Sequence, residues 1–239
     1  MKVFLAEMIG TLIFVFLTQS AFIQIKNDIN SISSKIFISF SFAAVWTFVS
    51  YIFGTTSGAH FDIAISVALA LDGSLKISLL PTYILAQLIG AIIGCIIFLI
   101  IFSKEIYSYS MGDVSSLVSN QPKKESIVSY ALKEFFAAFL LLFGIKAVKM
   151  IWGLVGGLNY FYMFIIILTL GLTLVNWNTL SVNPIRDIPC KIVLLIYSLI
   201  TKKEIEIKWI YSIVALIAVL LGSIAAVYAN FYFPWPVLR

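Results

Sequence analysis

Apolar residues in this chain gather into long runs. Six of them, at residues 3–25, 36–53, 77–102, 129–150, 160–177 and 209–233, stand out. Each is close to the roughly 20 residues a helix needs to cross the hydrocarbon core of a bilayer. A helix satisfies its own backbone hydrogen bonds in lipid, so the runs predict six membrane-spanning helices. Two further runs are too short to cross: 62–71, and 183–195, which carries Arg186, Asp187 and Lys191. Such pieces either lie on the membrane surface or enter it and turn back. Backbone of the second kind is tolerated only where it is buried in protein or lines a watery cavity.

The order of the pieces repeats: three spans with a short segment after the second, then the same again. Glu7 and Glu134 sit near the starts of the first and fourth spans, 127 positions apart. Asp62 and Asn183 open the two short segments, 121 positions apart. The pattern implies a single domain over 1–239, built of repeats 1–103 and 128–233 joined by a loop at 104–127. An odd number of spans per copy forces the copies into opposite orientations. That is the inverted-repeat plan of many channels and transporters, with paired broken segments meeting near the midplane.

Composition supports the membrane reading. The 239 residues are 62% hydrophobic and 11% charged, against about 45–50% and 25% in soluble domains. A soluble globule could not cover that much apolar surface. Disorder is excluded by the same numbers, and a disulfide scaffold by the presence of only two cysteines. The net charge of +5 comes from scattered basic residues whose short pairs are Lys123-Lys124 and Lys202-Lys203. This is not the concentrated footprint of a nucleic-acid binder. Neither Cys95 nor Cys190 has metal-ligating neighbours at useful spacing, so no metal or cofactor is expected. The N-terminal run resembles a signal peptide, but Glu7 interrupts it and it is long enough to span, so it is read as the first permanent helix.

Several segments carry a family resemblance. Ala6-Glu7-Met8-Ile9-Gly10-Thr11 resembles the opening of the major intrinsic protein family, the aquaporins and aquaglyceroporins. Ser57-Gly58-Ala59-His60-Phe61-Asp62-Ile63-Ala64 resembles its first signature, usually Ser-Gly-Ala-His-x-Asn-Pro-Ala. Val182-Asn183-Pro184-Ile185-Arg186-Asp187 resembles the second, usually Asn-Pro-Ala-Arg, with the trailing acid of the glycerol facilitators. The chain departs from the signatures at Asp62, Ile63 and Ile185. The resemblance implies an all-α integral membrane protein, with six transmembrane helices and two re-entrant half-helices in an inverted repeat. It also implies a homotetramer with one pore per subunit; separately, the Gly90-x-x-x-Gly94 spacing in the third span permits close helix approach.

The chemistry of these residues suits a pore. A half-helix ending at mid-membrane presents unpaired N–H groups and about half a positive charge, which opposes cations and protons. Neutral hydroxyl solutes can pass. Asn183 can cap its own half-helix and still offer amide hydrogens, and Pro184 fits the first helical position. Arg186 is costly in a membrane unless it faces a cavity and finds partners. The resemblance implies that it lines the constriction with Phe42, Gly171 and Leu180. Gly171, where water-selective members typically carry a histidine, leaves room for a carbon backbone. Asp187 is expected either to pair with Arg186 or to accept bonds from loop N–H groups. For Glu7 and Glu134 the resemblance implies that they hold the two short segments through hydrogen bonds, the alternative being a proton relay, and His60 is expected to pack in the loop and line the vestibule.

The expected function is passive conduction of water and small uncharged polyols such as glycerol, with no enzymatic activity. The alternative is an ion- or proton-coupled transporter that uses Asp62 as a titrating site. A lipid-modifying enzyme is a weaker rival, since Asp72-Gly73 is a mere fragment of a metal-binding motif. Orientation is contested. The resemblance puts both termini in the cytoplasm, with five loop or tail basic residues inside and eight outside. The positive-inside rule favours the reverse.

Overall fold

In the computed structural model, which describes residues 1–25, 31–108, 111–119, 126–149, 158–174 and 182–233, the long apolar runs are helices. In chain order these are α1 (Lys2–Gln24), α2 (Ile32–Ser57), α3 (Ile63–Leu71) and α4 (Leu80–Ile101), the last entered through a 3₁₀ turn at Ile77–Leu79. There follow α5 (Ser103–Tyr107), α6 (Met111–Val118), α7 (Ile127–Lys149), α8 (Leu158–Thr173), α9 (Pro184–Thr201) and α10 (Trp209–Tyr232). Five stretches, corresponding to α1, α2, α4 with its 3₁₀ turn, α7 and α10, are long and apolar enough to cross a membrane. The remaining predicted span is represented by α8, with 16 residues. Its expected end, 175–177, lies outside the described residues.

Local signals set several boundaries. The Ser31 side chain accepts from Ser34 N–H at the start of α2, and Gly58 closes that helix at φ 85°. Proline stands in the first turn of both α4 and α9, where a missing N–H costs no bond.

The polarity of the bundle is reversed relative to a soluble protein. Phe40, Phe48, Ile100 and Leu221 are exposed on its outside, while Glu7, Gln19, Gln87, Glu134, Arg186 and Lys191 are buried within it. Lipid solvates the first group, and the second must find polar partners inside the bundle.

Two helix pairs form the frame, α1 with α4 and α7 with α10. Both depend on backbone contact. A Cβ added at Gly90 would lie 2.2 Å from the Met8 carbonyl oxygen, and one at Gly222 would lie 2.2 Å from that of Phe135. The short helices cross between the frames: α3 packs on α10, and α9 on α4. Asp72 caps the far end of α3 and bonds to Lys146 of α7. Burial pushes its carboxyl up, but the bonds from Lys146 and Ser74 outweigh this and hold it below its ordinary value.

Two expectations need correction. The linker 104–127 is not simply a loop. It contains α6 and most of α5, with Ile106, Val114, Leu117 and Val118 buried, and α6 packs on both α9 and α1. The second short segment is also longer than 183–195, because α9 runs on to Thr201 before Lys202 turns left-handed at φ 55°. At 1.5 Å per residue, its 18 residues extend about 27 Å against about 14 Å for α3. Leu199 and Ile200 in this extension are exposed, so it continues past the packed region.

Candidate functional site

The N-termini of α3 and α9 meet inside the bundle. Asp62 is the N-cap of α3, its Oδ1 accepting from Ala64 N–H (2.6 Å) and Ile65 N–H (3.2 Å). Asn183 is the N-cap of α9, its Oδ1 accepting from Ile185 N–H at 3.0 Å. The Asn183 amide nitrogen reaches across to donate to the Phe61 carbonyl at 3.0 Å, joining the two ends. Asp62 Oδ2 is buried with no hydrogen-bond partner among the described residues. Ile63 occupies the first helical position of α3, where α9 has Pro184. Ala64 packs with Ala138 and Val219, and Ile185 lies fully buried in the main core.

The residue before each cap is bent in the same way. Phe61 and Val182 have φ of 47° and 48°, a left-handed conformation costing L-residues about 1–2 kcal/mol. Each turn exposes an N–H that a buried glutamate accepts. Phe61 N–H donates to Glu7 at 2.9 Å, and Val182 N–H to Glu134 at 2.8 Å. Glu7 also accepts from His60 N–H (3.1 Å) and Gln87 Nε2 (2.9 Å). Ser66 Oγ lies 3.0 Å from Gln87 Nε2 and 3.1 Å from His60 Nδ1, so the loop before α3 is bonded on several sides. The strain is offset by charge-assisted hydrogen bonds in a low-dielectric setting.

Arg186 lies in the first turn of α9 and is 1% exposed. Its guanidinium carbon lies 5.2 Å from the centre of the Phe42 ring and 5.3 Å from that of Phe22. Asp187 pairs with Lys191, Nζ to Oδ1 at 3.1 Å, and Lys191 also donates to Ser212 Oγ at 2.6 Å. This buried group ties α9 to α10. Gly171 is buried on α8. Leu180 lies outside the described residues.

A cavity of about 180 Å³ adjoins the meeting point, lined by residues including Trp46, Ala59, His60, Ile65 and Tyr160. One water needs only about 10–15 Å³, so the space admits several waters or a small solute. The His60 ring also packs at 4.7 Å from that of Tyr83, whose hydroxyl donates to the Ser57 carbonyl. Thus His60 is both loop packing and cavity wall.

The arrangement matches what comparison with known proteins finds. The profile for "Major intrinsic protein" matches residues 1–229. The chain belongs to the major intrinsic protein family. It is similar to the "Probable glycerol uptake facilitator protein" of Thermotoga maritima, 26% identical over 94% of this chain and 96% of that one. Human "Aquaporin-10" is 27% identical over 77% of this chain and 65% of its own length. In fold the chain is similar to the crystal structure of the aquaglyceroporin from Plasmodium falciparum, with a TM-score of 0.82 and 22% identity. That match covers 98% of this chain and 97% of the other. As a major intrinsic protein with at least five long apolar helices, it is an integral, multi-pass membrane protein.

For this major intrinsic protein, the structure brings together the caps, the two glutamates, His60, and the Phe42 and Arg186 pair. Three features escaped the sequence. Gln87 and Ser66 complete the Glu7 network, and a glutamine inside an apolar run was the available signal. Gln19, which in sequence is only part of a small polar run, donates to Cys190 Sγ at 3.1 Å and to the Val118 carbonyl at 3.3 Å. Phe22 carried no signal, being one aromatic in an apolar run.

Proposed function

We propose that the protein is a passive channel for water and small uncharged polyols such as glycerol, with its narrowest point at Arg186. The observation that carries this is the meeting of two capped helix N-termini beside a buried arginine and an aromatic wall. Converging N–H dipoles oppose cations and protons. One guanidinium offers hydrogen bonds to hydroxyls, while Phe42 and the small Gly171 suit the carbon side of a polyol. Glu7 and Glu134 act as supports for the two turns, since Glu7 accepts the His60 and Phe61 N–H groups and Glu134 accepts the Val182 N–H. The names of the relatives, a "Probable glycerol uptake facilitator protein" and an aquaporin, agree with this reading.

The test is stopped-flow light scattering on proteoliposomes, with water and glycerol in parallel. Both fluxes are expected to exceed those of empty liposomes, in either direction, without ions or nucleotide. Absence of acceleration for both solutes refutes the channel. A flux that appears only under an imposed pH gradient would favour the coupled transporter built on Asp62.

A further inference from the structure

Phe22 lies on α1, more than four turns beyond Glu7, and outside every motif that the sequence offers. Its ring and that of Phe42 approach the Arg186 guanidinium at nearly equal distances, 5.3 and 5.2 Å. The two rings meet edge to face at 5.8 Å. All three side chains are at most 1% exposed. The contact continues inward: Phe42 meets Phe14 edge-on at 6.1 Å, and Phe14 meets Trp46 at 5.4 Å. Trp46 lines the cavity beside His60. An aromatic column therefore runs from the arginine to the cavity, with Phe22 at its arginine end.

A guanidinium is weakly hydrated and binds aromatic faces well, and the attraction grows when water is excluded. Two rings restrain its position more than one does, because a tilt toward one loses contact with the other. We infer that Phe22 is a specificity-determining residue of the channel, setting with Phe42 the position of Arg186 and hence the width and hydrogen-bonding direction of the constriction. The inference rests on the channel reading, with Arg186 at the narrowest point, and adds to it a wall from α1. A planar ring cannot yield as an aliphatic chain does, so Phe22 limits how bulky a polyol can pass.

The experiment compares the wild type with Phe22→Ala, Phe22→Leu and Phe22→Tyr in proteoliposomes, using water, glycerol and the five-carbon polyol xylitol. Phe22→Ala is expected to raise the xylitol-to-glycerol flux ratio by roughly tenfold, the lower end of what one altered pocket contact is worth. Phe22→Leu shifts it in the same direction, and Phe22→Tyr keeps the wild-type ratio. A second readout needs no flux. The sequence has two arginines, Arg186 and Arg239, so peptide mapping after phenylglyoxal treatment assigns each adduct. Removing the ring is expected to speed modification of Arg186 several-fold, with Arg239 as the internal reference.

If the wild type conducts glycerol while Phe22→Ala and Phe22→Leu alter neither the ratio nor the labelling, Phe22 is packing and the inference is overturned. If Phe22→Ala does not insert or fold, the contrast between the leucine and tyrosine variants decides by the same criteria. If the wild type conducts neither solute, the channel reading itself has failed, and the claim about selectivity falls with it. Faster labelling would then still report the aromatic clamp on Arg186.

Discussion

Asp62 and Asn183 do the same work with one atom and opposite work with the other. Each Oδ1 caps its helix, a role worth about 1 kcal/mol. The second atom is a donor in Asn183, which joins the two helix ends, and an acceptor in Asp62, which meets no described donor. An ionised carboxylate there would weaken a barrier to cations that the helix ends otherwise raise. Replacing Asp62 with asparagine should therefore keep polyol flux and lower the leak of protons or small cations. The leak is measured with a pH-sensitive dye trapped in the liposomes; a wild type as tight as empty vesicles would show that Asp62 is not an ionised residue of the path. At the constriction, Gly171→His should suppress glycerol flux more than water flux, because an imidazole fills space while still offering hydrogen bonds to water. Equal losses of both would make Gly171 a packing position. Asp62 and Asn183 were legible because each sits in a signature, and Gly171 only through the family resemblance, by its spacing from the second one. Phe22 was not, since nothing in one sequence marks which of its aromatics meets a partner 164 positions further along the chain.

Between elements, glycines set the spacing. At Gly222 the neighbour is backbone: the Phe135 carbonyl oxygen and carbon lie 2.2 and 3.0 Å from where a Cβ would stand. Backbone cannot rotate aside, so Gly222→Val should push α10 off α7 and cost about 1–3 kcal/mol, the range for overpacking. The measurement is thermal unfolding in detergent, with Gly144→Ala as the mild comparison. There the added methyl meets the Ile166 side chain, its Cδ1 at 3.0 Å, and no backbone among its nearest atoms. Equal stability of Gly222→Val and wild type would mean that the helices reseat freely. The Gly90-x-x-x-Gly94 spacing is enough to signal close helix packing, and the partner is α1 of the same chain. The extra turns of α9 were harder to anticipate. Residues 196–201 continue an apolar run past the charged segment, and length alone does not say where a half-crossing helix stops. The helix α6 was hidden for another reason: its turns are stabilised by contacts with α1 and α9 that a local reading cannot foresee.

Across the whole molecule, the six-plus-two order of apolar pieces was enough to suggest two copies of opposite orientation. The matched turns at Phe61 and Val182, each held by its own glutamate, agree with that reading. How the halves interlock was not legible, because periodicity says which residues are apolar and not which neighbour covers them. The short helices are exchanged, α3 lying on α10 and α9 on α4. This exchange has a consequence for synthesis. A ribosome delivers α3 more than a hundred residues before α10, so the side of α3 that α10 covers stays open until then. With nine residues, α3 is too short to be stable alone. Until then it depends on its contact with α4, on the bond from Gln87 to Ser66, on the loop N–H bonds that Glu7 accepts, and on whatever the insertion machinery supplies. A chain ended at residue 208 should thus expose the turn at 72–76 to protease in membranes where the full-length protein resists, and equal resistance would mean that the first half completes itself. On this account α10 is what closes the first half of the molecule, and a nascent chain has no finished path until residues 209–232 have left the ribosome.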